Sequence, residues 1–138
     1  MIVIVCIDDC RGMTFNHRRQ SQDKKLREYL LNSISPNHLW LNAYSGKQFT
    51  DVDCSNFIID DFFLEKAKPG DFCFVENLDI SSYIEDIEKI ILFKWNRNYP
   101  ADTFLPINLD EWILEETEDF IGYSHDRITK EVYRKWNM

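Results

Sequence analysis

The sequence predicts an α/β fold, a three-layer domain in which a mixed central β-sheet is covered on both faces. Residues 2–7 are apolar at every position, as expected for a central strand that is buried on both faces. Helical and strand-like patterns then alternate, and the C-terminal third is strand-rich. This order favours parallel strands followed by an antiparallel edge, within a single domain that spans residues 1–138.

The composition predicts a folded core. The chain has 138 residues, of which 44% are hydrophobic and 14% aromatic, so it is long and apolar enough to fold. It contains no run of about 18 apolar residues, so we expect no membrane span. The apolar run at residues 2–7 is too short for a signal-peptide core, and no basic residue precedes it. We therefore expect a cytoplasmic protein.

The net charge and the pattern of Cys and His residues argue against a nucleic-acid-binding protein and against a metal site. The net charge of −8 disfavours nucleic-acid binding through a basic face. The four cysteines form no C-x-x-C pair and the three histidines are not clustered, so we expect free thiols and no metal site. Basic residues are nevertheless concentrated between His17 and Arg27. Such a cluster indicates either a site for a small anionic ligand or the solvated end of a helix.

A helix is predicted from Ser21 to Ile34. Ser21 is a good N-cap, and the Ser35-Pro36 pair ends the helix. Asp23 falls in the first turn, on the apolar side of the helix. There its carboxylate either stands at the mouth of a pocket, where burial changes its pKa, or complements the helix dipole. The apolar stripe of this helix consists of Leu26, Tyr29, Leu30 and Ile34.

The remaining elements are shorter. Ser45 and Gly46 lie where a strand passes into a short helix, so their backbone N–H groups either bind a phosphate or belong to an ordinary helix cap. Gly122 and Ser124 are expected in a turn between the last two strands. Strands are predicted at residues 38–42, 72–75, 89–95, 112–114 and 128–136, and short helices at 43–49, 62–64 and 81–87.

Several motifs in this order resemble the dihydrofolate reductases. The segment Asp9–Met13 is similar to the glycine-containing loop that follows the first strand of that family and closes over its active site. Residues 89–106 resemble its late strand, with Ala101-Asp102-Thr103 and then Leu105-Pro106. The resemblance implies the dihydrofolate reductase fold in a shortened, divergent member, trimmed between residues 50 and 68.

The resemblance also implies a site. Asp23 falls near the single catalytic carboxylate of the family, and Ser45 near the hydroxyl of its phosphate-binding turn. The implied pocket lies between the first strand, the arginine pair and the predicted helix. There an arginine pair can hold an anionic group, and Asp23 can accept from an amino-substituted ring. The ligand-binding residues expected around it are Ile7, Met13, Arg18, Arg19, Ser21 and Ser45.

The sequence departs from the family where the NADPH cofactor would bind. Glu76 and Asn77 stand where the family has a Gly-Gly pair, so side chains fill space that the cofactor needs and a carboxylate faces its pyrophosphate. Ala43 replaces the arginine of the phosphate signature, and Phe93 replaces a polar residue that helps to bind the pterin. NADPH remains a possible cofactor, although these substitutions disfavour its binding.

Three functions follow as hypotheses. The first is a protein that binds an anionic nucleotide- or pterin-like small molecule, without ordinary NADPH-dependent dihydrofolate reductase activity. The second is an active NAD(P)H-dependent reductase of a pterin-like substrate, in which Asp23 assists protonation. The third is an acidic interaction or inhibitor protein that acts on another macromolecule. Its acidic residues would be Asp51, Asp53, Asp60, Asp61, Glu115, Glu116, Glu118 and Asp119. A homodimer and a protein partner are both left open.

Overall fold

A computed structural model describes residues 1–136 of the chain. The helices are α1 (Lys24–Ile34) and α2 (Ala43–Gly46), with 3-10 helices at Phe63–Glu65, Ser81–Asp86 and Leu109–Glu111. The strands are β1 (Ile2–Ile7), β2 (Gly12–Phe15), β3 (Arg18–Arg19), β4 (Leu39–Leu41), β5 (Phe57–Ile59), β6 (Phe72–Phe74), β7 (Lys89–Lys94), β8 (Thr103–Phe104), β9 (Trp112–Phe120) and β10 (Ile128–Lys135).

Seven of the described strands form the main sheet, in the order β5-β4-β6-β1-β7-β10-β9. The first five run parallel to one another, and β10 and β9 add an antiparallel edge. This arrangement confirms the predicted mixed sheet. β1 lies at its centre, hydrogen-bonded to β6 on one side and to β7 on the other. The carboxyl ends of β1, β6 and β7 therefore meet at one edge of the sheet.

The sheet has an apolar core on each face, because alternate side chains of a strand point to opposite sides. Val3 and Val5 of β1 pack with residues of the three 3-10 helices and of the segment 105–112. Ile4, between them, packs on the opposite face with Leu30 of α1 and with Phe93. Each such side chain contributes about 1.5–3 kcal/mol on burial. The two cores account for the apolar character of β1 and make the fold three-layered.

Helix α1 begins three residues later than the sequence predicts. Asp23 is the N-cap, since its side chain accepts hydrogen bonds from the backbone N–H groups of Lys25 and Leu26. These bonds satisfy donors that have no partner inside the helix. Ser21, the predicted cap, instead directs its hydroxyl to His125. The predicted apolar stripe is confirmed by the burial of Leu26, Leu30 and Ile34.

Two other elements differ from the prediction. The segment 81–87 forms a 3-10 helix, Ser81–Asp86, with no buried residue. β9 extends to Phe120, beyond the predicted end at residue 114, because β10 pairs along its full length and supplies cations such as Lys130 to its acidic residues. Between residues 50 and 68 the regular elements are β5 and a 3-10 helix.

A second, three-stranded sheet with the order β3-β2-β8 was not predicted. β2 and β3 are joined through Asn16 and His17, which both have positive φ, of 52° and 63°. Positive φ at both central residues is the geometry of a type I′ hairpin turn, and asparagine and histidine adopt positive φ more often than most other residues. None of the helices in the described part of the chain is long and apolar enough to span a membrane.

Candidate functional site

The β2–β3 hairpin separates the two arginines of the predicted pair. Its register places Phe15 opposite Arg18 and Thr14 opposite Arg19. Because neighbouring residues of a strand point to opposite faces, Arg18 and Phe15 share the exposed face, whereas Arg19 points inward. The two side chains therefore meet different surroundings, although they are adjacent in sequence.

Arg19 is bound inside the protein by Glu76. Its Nε lies 2.9 Å from Glu76 Oε2 and its second guanidinium nitrogen 3.1 Å from Oε1, a two-point ion pair. The guanidinium also lies over the Tyr44 ring, 4.4 Å from its centre, and donates to the Tyr44 carbonyl. Glu76 is only 9% exposed. The carboxylate that we expected to face a pyrophosphate is thus neutralised by Arg19.

This ion pair helps to close the cleft at the carboxyl end of β1. The space left there has a volume of about 10 Å³, which is room for about one water molecule. Burial raises the pKa of the Cys6 thiol well above its usual value, and the charge of Glu76 raises it further. We call this space the inner cavity; it is lined by Cys6, Met13, Arg19, Gln20, Ser21, Val75, Glu76 and Trp95.

A larger cavity opens on the outer side of the hairpin, with a volume of about 510 Å³. Arg18 is exposed there and, within residues 1–136, forms no ion pair. Phe15 and Tyr99 add aromatic rings to the walls, and Phe15 is 43% exposed. An unpaired guanidinium beside aromatic faces suits an anionic group attached to a flat ring. We call this space the outer cavity; it is lined by Phe15, Asn16, Arg18, Arg19, Gln20, Tyr99 and Pro100.

Asp8 holds two walls of the outer cavity in place. Its buried carboxylate accepts from Gln20 Nε2 at 3.0 Å and from the backbone N–H of Tyr99 at 3.2 Å, besides two N–H groups of its own loop. Burial alone would raise the pKa of Asp8, but these hydrogen bonds lower it below its usual value. Gly12 is required beside Asp8, because a Cβ there would lie 2.6 Å from Ala101 Cβ. The sequence offered no local signal for this role of Asp8.

Asp23 is enclosed by hydrogen-bond donors. Oδ1 accepts from the N–H groups of Lys25, Leu26 and Tyr123, and Oδ2 from the N–H and hydroxyl of Ser124. His125 Nδ1 adds a contact of 2.9 Å to Oδ2. Burial alone would raise the pKa of Asp23, but the bonds from Tyr123, His125 and Ser124 lower it well below its usual value. Asp23 is 2% exposed and stays ionised at neutral pH.

His125 connects Asp23 to two hydroxyl groups. Its Nε2 lies 3.1 Å from Ser21 Oγ and 3.0 Å from the Tyr99 hydroxyl. The ring stacks on Trp95, with 4.6 Å between the ring centres, and is 4% exposed. Sequence reasoning missed His125, because it lies 102 residues from Asp23 and carries no local motif.

The comparisons with known proteins identify the fold. No family model matches the chain, and no curated protein matches it. Among solved structures, it is similar to a dihydrofolate reductase from Enterococcus faecalis complexed with NADP(H) and RAB-propyl. The TM-score is 0.67 at 11% sequence identity, and the match covers 98% of this chain and 95% of that one. The chain has the dihydrofolate reductase fold. At so low a sequence identity, the similarity is evidence for the fold alone.

Two features of this dihydrofolate reductase-like protein disfavour a pyrophosphate beyond the carboxyl end of β6. A cavity of about 370 Å³ lies beyond the carboxyl end of β6, but the carboxylates of Glu76 and Asp79 line it together with Asn77. At the start of α2, the Ser45 N–H donates to Asn42 Oδ1 at 2.9 Å and the Gly46 N–H donates to the Asn42 carbonyl at 3.0 Å. The Asp79 carboxylate repels a pyrophosphate, and the Ser45 and Gly46 N–H groups are not free to bind one.

The expected ligand residues fall into separate groups in this fold. Met13, Arg19 and Ser21 meet around the inner cavity, and Arg18 lies outside at the outer cavity. Ser45 is fully buried in α2, and Ile7 is 3% exposed in the core. Within residues 1–136 no group of three or more His, Cys, Asp or Glu side chains is placed to hold a metal ion.

Proposed function

We propose that this dihydrofolate reductase-like protein binds a small anionic molecule with a flat ring, nucleotide- or pterin-like, in the outer cavity. We propose further that it does not carry out NADPH-dependent reduction of dihydrofolate. The observation that carries both statements is the contrast between the two cavities. The outer one has about 510 Å³ and an unpaired arginine, whereas the inner one has about 10 Å³.

The chemistry of the outer cavity supports an anionic ligand. A guanidinium can bind a phosphate or carboxylate through two parallel hydrogen bonds, each stronger than a bond between neutral groups. Phe15 stands opposite Arg18 in the hairpin, so a ring attached to that anion can lie against an aromatic face. Asp8 fixes Gln20 and Tyr99, which means that the cavity walls are ordered before a ligand arrives.

The inner cavity supports the second part of the proposal. Hydride transfer requires a cofactor ring held against the substrate with water excluded. The Arg19–Glu76 pair and Trp95 line the inner cavity, and its volume of about 10 Å³ is too small for two such rings. Asp23, the expected catalytic carboxylate, has both of its oxygens engaged by protein donors. These contacts favour binding without reduction.

The acidic residues give less support to an interaction function. Many of them pair with cations of the same chain, so their negative field is reduced. The pairs include Arg27–Asp51, Lys66–Asp60, Lys89–Glu115 and Lys130–Glu116.

The Arg18→Ala variant tests the anion site. A thermal-shift titration with nucleotides, dihydrofolate, NADP and NADPH should give a stabilising shift with a nucleotide or pterin and none with NADPH. Saturation at about 100 times the dissociation constant adds about 2.7 kcal/mol. Arg18→Ala removes a charged hydrogen-bonding group worth about 1.5–3 kcal/mol, so the affinity should fall about tenfold or more.

The matched control is Arg127→Ala, which removes an exposed arginine outside the outer cavity. It should bind the same ligand as tightly as the unchanged protein. Equal losses in both variants would show a general charge effect and would refute the assigned site. A shift with NADPH, followed by oxidation of NADPH in the presence of dihydrofolate, would refute the second part of the proposal.

A further inference from the structure

Ser21, His125 and Asp23 form a continuous hydroxyl–imidazole–carboxylate chain. Asp23 Oδ2 lies 2.9 Å from His125 Nδ1, and His125 Nε2 lies 3.1 Å from Ser21 Oγ. An ionised carboxylate can only accept, so the proton of a neutral His125 ring sits on Nδ1, and the lone pair of Nε2 faces the hydroxyls of Ser21 and Tyr99. A nucleophile within reach of a base, and a base oriented by a third group, is the arrangement that activates a serine.

The His125 imidazole is oriented by Asp23 and by Trp95. Asp23 is anchored by backbone N–H groups from the start of α1 and from the loop at Tyr123 and Ser124. Trp95 stacks on the face of the ring, with 4.6 Å between the ring centres. The ring orientation is therefore fixed by two separate parts of the fold, as a general base requires.

Ser21 lies between the two cavities: it lines the inner cavity, and the adjacent Gln20 lines both. Ser21 is partly exposed and directly follows the arginine-bearing strand β3 and Gln20. The hydroxyl of Tyr99 lies 3.4 Å from Ser21 Oγ, while Tyr99 itself lines the outer cavity. Tyr99 thus places a hydroxyl donor beside the nucleophile, where it can donate to an oxygen that becomes negative. The proposed binding function does not require this arrangement.

We propose that Ser21 is the nucleophile of an acyl-transfer reaction, with His125 as its general base and Asp23 as the positioning residue. The substrate class is a small ester that carries an anionic group. The serine assignment rests on the triad geometry, and only the anionic preference rests on the proposed function of Arg18.

The reaction balances without any other reactant except water. The Ser21 Oγ–H proton moves to His125 Nε2 as the Oγ–C bond forms at the ester carbonyl. The ester C–O bond then breaks, and the leaving alcohol takes that proton from His125. Water, deprotonated by the same nitrogen, attacks the acyl-serine, releases the carboxylic acid and restores the Ser21 hydroxyl.

A neutral fluorophosphonate probe tests the nucleophile on the intact chain. Attack by Ser21 forms the Oγ–P bond, breaks the P–F bond and releases fluoride, so intact-mass spectrometry should show one adduct, which peptide mapping assigns to Ser21. Ser21→Ala should show none. The exposed Ser55→Ala, the matched control, should react at the rate of the unchanged protein. In His125→Gln the labelling rate should be lower by a factor of about 100 or more.

The unchanged protein and Ser21→Ala decide the proposal, whether or not His125→Gln folds. Absence of an adduct on the unchanged protein would refute the proposal, and so would an adduct that persists in Ser21→Ala. The probe has no charge, so its failure leaves the anion site of Arg18 untouched. Conversely, a protein that is labelled on Ser21 but binds no anionic ligand retains the nucleophile and loses only the assigned substrate preference.

Discussion

Asp23→Asn is expected to lower the free energy of unfolding by about 3 kcal/mol or more, because the buried carboxylate accepts several hydrogen bonds, each worth about 1.5–3 kcal/mol when one partner is charged. All the partners of the two carboxylate oxygens are donors: four backbone N–H groups, the Ser124 hydroxyl and His125 Nδ1. An asparagine keeps one accepting oxygen and turns an NH₂ group toward the remaining donors. The side chain fits the space but cannot satisfy its neighbours. Urea unfolding at neutral pH measures the loss.

The pH dependence of that loss is a second part of the same prediction. The folded pKa of Asp23 lies below its unfolded value of about 3.9, so the stabilisation is complete above about pH 5 and declines as the pH falls further. The difference between the unchanged protein and Asp23→Asn should therefore shrink below that pH. Asp53→Asn is the matched control, because this exposed carboxylate makes only local contacts at Ser55. Equal stability of Asp23→Asn and the unchanged protein at neutral pH would contradict the hydrogen-bonding scheme.

Arg19→Met is expected to lower the free energy of unfolding by about 3 kcal/mol, because it leaves the Glu76 charge buried without a partner. The Glu76 side chain is 7% exposed and accepts both guanidinium bonds from Arg19. The double variant Arg19→Met/Glu76→Leu removes both charges and should recover most of that loss. The double-mutant cycle, measured by urea unfolding, isolates the interaction between the two side chains.

An exposed ion pair provides the control for this cycle. Lys66 pairs with Asp60, but the Lys66 side chain is 55% exposed, so water replaces the lost partner. Lys66→Met should leave the unfolding midpoint unchanged. If Arg19→Met were as stable as Lys66→Met, Glu76 would be solvated or protonated, and the inner cavity would not be closed by a buried ion pair.

The sequence by itself determined the central sheet and the main helix. The unbroken apolar run at residues 2–7 predicts a strand covered on both faces, and β1 has a core on each side. The apolar stripe of α1 and the strand-rich tail are equally local signals, since each depends on a repeat within one segment.

The candidate site depended on contacts between distant residues. Ser21 and Asp23 are both good N-caps, so local chemistry did not decide between them. In the structure the Ser21 hydroxyl is hydrogen-bonded to His125, and Asp23 is the N-cap. His125 also contacts Asp23, from which it is separated by 102 residues. Arg19 was expected to bind an anionic ligand and Glu76 to repel a pyrophosphate. In the structure these two residues, 57 positions apart in sequence, form an ion pair with each other.

Only the tertiary structure separated Arg18 from Arg19. Both are basic and adjacent, and no composition or spacing distinguishes them. A two-residue turn with positive φ at Asn16 and His17 sets the hairpin register, which directs Arg19 to Glu76 and Arg18 to solvent. Periodicity reveals which face of an element is buried, but the partner of a charged side chain is set by which elements the fold brings together. For that reason the sequence determined the layers of this protein, and the tertiary structure decided its site.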